Sequence, residues 1–89
     1  MKTTAPVLND DAVLVILATA GHEGAVAEYT AASMTRQARL WRVRTELVAR
    51  GLVEIEDGEY FVGLDVIEAA TEAETERLRV IAEARRAAR

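Results

Sequence analysis

Residues 10–21 read DDAVLVILATAG, and Val13, Ile16, Leu17 and Ala20 recur there at the spacing of one helix face. The pattern predicts a first helix. Asp10 is its expected N-cap, with a carboxylate suited to the positive helix end, and Gly21 is its stop. After the short turn HEG, the stretch AVAEYTAASM predicts a second, shorter helix with Val26, Tyr29 and Ala32 or Ser33 facing inward. A third helix, capped by Ser33 or Thr35, runs to about Arg50. Its apolar positions Leu40, Val43 and Leu47 make one narrow buried stripe, and Gly51 ends it. The period then changes. LVEIE and EYFVG flank Asp57-Gly58, a strong hairpin signal. Pairing across that turn puts Val53, Ile55, Tyr60 and Val62 on one apolar face. It also sets Glu56 opposite Glu59, a like-charge contact that a slightly longer loop would relieve. From Asp65 the chain reads as one long helix without Gly or Pro, carrying a weak apolar seam of Ile67, Ala70, Leu78, Ile81 and Ala88.

These elements define a mainly α class with a small β-hairpin. The expected organisation is a loose arm over 1–9, with Pro6 near its end, a domain over 10–64, and a C-terminal helix over 65–89. A chain of 89 residues buries one modest core, not a core plus a deep catalytic cleft. Hydrophobic residues make up 51% and aromatics 4%, so Ala, Val, Leu and Ile build the interior. The absence of cysteine excludes disulfides, thiolate zinc sites and thiol catalysis. No stretch approaches a transmembrane span, and MKTTAPVLNDD lacks a signal peptide's apolar core, so the expected location is the cytoplasm.

Charge changes the picture. The net charge of −4 and pI of about 5.0 argue against a nucleic-acid binder when taken as an average. The distribution says otherwise. Residues 35–50 hold Arg36, Arg39, Arg42, Arg44 and Arg50 against Glu46 alone, a local charge of +4. Residues 53–59 hold Glu54, Glu56, Asp57 and Glu59, a local charge of −4. Such segregation marks two surfaces with different work. In the last helix, Glu68, Glu72, Glu74 and Glu76 crowd the first half, and Arg77, Arg79, Arg85, Arg86 and Arg89 the second, an order that suits the helix dipole.

The order of three helices, a hairpin and a further helix resembles the winged helix-turn-helix family of prokaryotic DNA-binding transcriptional regulators. The residues that carry the likeness are MTRQARLWRVRTELVARGLVEIEDGEYFV, where Leu47, Gly51, Leu52 and Val53 fall on the family's LxxxGLV pattern between recognition helix and wing. The likeness covers roughly residues 10–64. Three features depart from it: Ser33 stands where the family often has Gly, the second helix is about a residue short, and the wing is acidic where DNA-binding wings are usually basic.

The resemblance implies double-stranded DNA as partner and the third helix as the groove-facing element. Arg36, Gln37, Trp41, Arg42 and Thr45 lie at its start or on its outer side; arginine suits guanine edges and glutamine suits adenine. Arg39 and Arg44 flank the stripe and are expected to reach phosphates. The competing reading of these residues is a solvated arginine face with internal ion pairs. Trp41, the sole tryptophan, either packs on DNA or a partner, or folds back over the hairpin. The acidic hairpin either stays off the phosphates, binds a basic protein partner, or screens the arginines until a partner moves it. Ile67, Ala70, Leu78, Ile81 and Ala88 are the expected seam of a homodimer. The competing module binds protein alone, through the hairpin and Trp41. His22, the only histidine, sits in a turn with no ligands clustered near it, so no metal is expected. No catalytic constellation, phosphate loop or cofactor signature occurs, and no enzyme is expected.

Overall fold

The computed structural model describes residues 8–88; most of the expected arm, residues 1–7, and Arg89 lie outside the described residues. The elements run α1 (Asp10–Thr19), α2 (Glu23–Ala31), α3 (Met34–Ala49), β1 (Glu54–Glu56), β2 (Glu59–Phe61) and α4 (Leu64–Ala87). The chain is mainly helical with one two-stranded antiparallel sheet.

α1 is the axis of the fold. α2, α3 and α4 all pack on it, so the whole of 12–17 is buried rather than a single face. Ala20, expected inward, is instead the exposed C-cap. Asn9 and not Asp10 is the N-cap, its Oδ1 accepting the Ala12 N–H at 2.8 Å. Asp10 becomes the first helical residue, where its charge still meets the positive end. Gly21 ends α1 at φ +83, and the Gly21 and His22 N–H groups donate to the Ala18 and Leu17 carbonyls. α3 ends in the same way, with Gly51 at φ +76 and bonds from Gly51 and Leu52 to Val48 and Leu47.

α2 starts at Glu23, earlier than the apolar pattern implies, and its inward set is Ala25, Tyr29 and Ala32. Val26, expected inward, is 42% exposed, and Ser33 is exposed as the α3 cap. In α3 the stripe holds: Leu40 and Leu47 are buried and Val43 is half-buried against the core.

The hairpin closes with a tight two-residue turn. Asp57 at φ +51 and Gly58 at φ +79 give the left-handed pair that a type I′ turn requires. The register sets Glu54 opposite Phe61, Ile55 opposite Tyr60 and Glu56 opposite Glu59, with no longer loop. The two opposed glutamates are exposed, so solvent screens their repulsion. Ile55 and Tyr60 share a face that lines a small hollow with Arg44, Thr45 and Val48 of α3. Ile55 is nonetheless 51% exposed, because the strands are too short to cover it.

α4 starts after Gly63. Val66 and Ala70 belong to the same core as α1 and α3, and Ala73 packs on it, so the first half of α4 completes the domain. Ala70 is 0% exposed and cannot serve as an intermolecular seam, as the sequence pattern had suggested; it is committed to its own core. Ile67 is half-buried, whereas residues 78–88 are exposed throughout. Arg77 holds Glu74, and Arg79 holds both Glu76 and Glu83, along the helix. The hydrogen bond from Arg79 keeps the Glu76 carboxyl below its ordinary range, and the reciprocal bond raises Arg79. Glu74 raises Arg77 in the same way. Among the described residues, no helix is long and apolar enough to cross a membrane.

Candidate nucleic-acid interface

The geometry of α3 is set at its start. Ala32 and Ser33 are extended, which turns the chain sharply between α2 and α3. The Ser33 hydroxyl accepts the Arg36 N–H at 3.2 Å, a cap worth about 1 kcal/mol. The Gln37 amide donates to the carbonyls of Tyr29 at 3.3 Å and Thr30 at 3.4 Å. It closes the open end of α2, and its donors are engaged inside the fold rather than free for an adenine edge.

The arginines divide by what they touch. Arg36 faces Glu28 of α2 at 3.7 Å, and the Arg39 Nε donates to Asp11 of α1 at 3.0 Å. Both link α3 to the helices behind it, and Arg39 remains exposed with its Nε held by Asp11. Each exposed pair contributes about 0–1 kcal/mol, so fixing position matters more than stability. Arg44 is half-buried with its guanidinium between two rings, 4.2 Å from the Trp41 centroid and 4.1 Å from that of Tyr60. That stack joins α3 to β2 and is worth roughly 0.5–2 kcal/mol per ring. Arg44 makes no ion pair among the described residues, so its in-plane donors remain open while its faces are covered. Arg42 and the C-cap Arg50 are exposed and also unpaired among the described residues. Unpaired arginines on α3 thus reduce to Arg42, Arg44 and Arg50, against Glu46.

Trp41 is 55% exposed, so it neither folds away nor stands alone: one part of its ring covers Arg44 and the rest meets solvent. The Thr45 hydroxyl donates to the Trp41 carbonyl at 3.1 Å, leaving its lone pairs as the outward function. The outward strip is therefore Thr35, Ala38, Trp41, Arg42 and Thr45, all exposed, with Met34 at its head 88% exposed. Sequence reasoning missed Met34, Thr35 and Ala38, although Ser33 as cap puts Thr35 and Ala38 in line with Arg42. It also missed Tyr60 as the partner of Arg44. The fold thus gathers Trp41, Arg42, Arg44 and Thr45 on or beside one strip, and turns Arg36, Gln37 and Arg39 toward α1 and α2.

The acids of the hairpin sit elsewhere. Glu54, Glu56, Glu59 and Phe61 share the face opposite to Ile55 and Tyr60, and so point away from α3. Among the described residues no ion pair joins them to the arginines, so the acidic face is not a screen over α3. His22 is exposed at the start of α2, and no group of residues able to hold a metal ion occurs among the described residues. The chain matches no protein-family model, no curated protein and no solved structure.

Proposed function

We propose that the chain is a winged-helix protein of the cytoplasm that binds double-stranded DNA as a homodimer and regulates transcription, with no catalysis of its own. The observation that supports this most directly is the outward strip of α3. Arg42, unpaired among the described residues, stands beside a partly exposed Trp41 and an accepting Thr45, on a helix whose opposite side is fixed by Leu40 and Leu47. A helix so held presents base-reading side chains without reorganisation, and the small Ala38 lets the backbone approach the groove floor. Arg44 and Arg50 contact phosphates and set register. α4 is the element that holds two copies together, through Leu78, Ile81 and Ala88 in its exposed half, with Ile67 at the margin.

Selection of bound duplexes from a random pool tests the reading. The intact chain is expected to enrich a roughly palindromic site. Arg42→Ala is expected to lose about 1–3 kcal/mol of discrimination while non-specific binding falls less. Absence of any enrichment sinks the reading.

One observation favours a second reading, a winged-helix module that binds protein. Glu54, Glu56 and Glu59 surround Phe61, which is 46% exposed, on one free face of the hairpin. Acids around an exposed ring suit a basic, partly apolar protein surface. A failed duplex selection together with a lost protein partner in Phe61→Ser would establish that alternative.

A further inference from the structure

The face of α4 that packs on α1 carries Val66, Ala70 and Ala73, at steps of four and three. One turn further, Arg77 already feels the charge of Asp10, the first residue of α1. Beyond it the same face continues as Val80, Ile81, Ala84 and Ala88, past the end of α1. Val80 is 51% exposed, and nothing among the described residues covers this continuation. Beside Arg77 lies a groove of about 350 Å³ between α1, α2 and α4, floored by Leu14, Leu17 and Ala25 and rimmed by Asp10 and by the pairs Glu28–Arg36 and Glu74–Arg77.

We infer that the groove is the seat for residues 78–88 of a second copy, so that two α4 helices exchange their projecting halves across a twofold axis. The inference rests on the homodimer proposed above and gives it a geometry. Asp10, Arg85 and Arg86 make no ion pairs among the described residues; Glu28 and Glu74 on the rim are held by Arg36 and Arg77, which leaves Asp10 as the open acid facing the arginines that end the projecting half. An antiparallel crossing near Val80 lays Arg86 of one copy beside Glu74 of the other, and Glu83 beside Arg77. Every such contact occurs twice. The projecting half is about 16 Å of helix. A seam of helix on helix alone, over that length and lined with alanine, falls short of the roughly 800 Å² per partner of a stable interface. Filling both grooves as well brings the contact toward that size.

The chain has no cysteine, so introduced thiols report on the contact without background. Gly24 lines the groove, and a side chain built there meets nothing within 4 Å. In Gly24→Cys/Arg86→Cys, the two positions of one chain stay out of disulfide reach, because Arg86 lies about 14 Å along α4 from Arg77. Oxidation of the full chain is expected to give a covalent dimer on a denaturing gel, and neither single variant is expected to do so. Arg85→Glu/Arg86→Glu is expected to weaken the dimer by about tenfold or more in sedimentation. A dimer in solution that fails to cross-link, or that keeps its affinity in the charge-reversed chain, overturns the seat while leaving DNA binding untouched. A monomeric intact chain overturns the seat and the homodimer together.

Discussion

At the scale of single residues, chemistry and position part company. Arg36, Gln37 and Arg39 have the side chains a DNA reader uses, yet the fold gives them partners at the surface of α1 and α2: Glu28, the end of α2 and Asp11. The side-chain types were legible in the sequence, but the partners were not. Asp11 lies 28 positions from Arg39, a separation no local pattern reports. Arg42 shows the converse: nothing distinguishes it from its neighbours until each of their partners is known. Gln37→Ala therefore tests position against chemistry. With its bonds to the α2 carbonyls lost, it is expected to lower stability by about 1 kcal/mol in chemical denaturation and to leave base preference unchanged. A changed preference at full stability would return Gln37 to the groove.

At the scale of elements, the sequence was most legible where geometry depends on one residue type. Gly21, Gly51 and the Asp57-Gly58 turn all fall at left-handed positions. Gly58→Ala is expected to cost about 1–2 kcal/mol, because a Cβ strains this conformation. For a chain of 89 residues each 1 kcal/mol lowers the melting temperature by roughly 4–8 °C, so a drop of about 4–16 °C is expected by calorimetry. α1 was less legible, because a helix packed on three sides buries its whole circumference and loses the one-sided period that marks surface helices. α4 misled in another way: its seam runs through two environments, and only the fold separates core Ala70 from exposed Leu78. The pairs along α4 carry a pH dependence. Arg79 lowers the Glu76 carboxyl, so the folded value lies below the unfolded one. The contribution is complete above the ordinary carboxylate range and is lost as pH falls through the lowered value. Far-ultraviolet circular dichroism is expected to show the acid loss of helix beginning at higher pH in Arg79→Ala. Superimposable curves would show that the Arg79 pair adds nothing.

At the scale of the whole molecule, an acidic chain carries a cationic strip by sorting its charges onto different elements. The hairpin acids face away from α3, Arg36 and Arg39 are paired with acids of neighbouring helices, and Arg42, Arg44 and Arg50 carry no ion pair among the described residues. The average charge concealed this arrangement, and the local excess along residues 35–50 overstated it, since two of its arginines face acids of α2 and α1 in surface pairs. Two copies joined through α4 would present this strip twice. The salt dependence of duplex binding measures it directly, by fluorescence anisotropy of a labelled site. With about four to six cationic contacts per dimer, the logarithm of the binding constant is expected to fall against the logarithm of salt with a slope of roughly −4 to −5, and less steeply in Arg50→Ala. A slope near zero, or no binding even at the lowest salt, would contradict the reading of α3 as a DNA-binding helix.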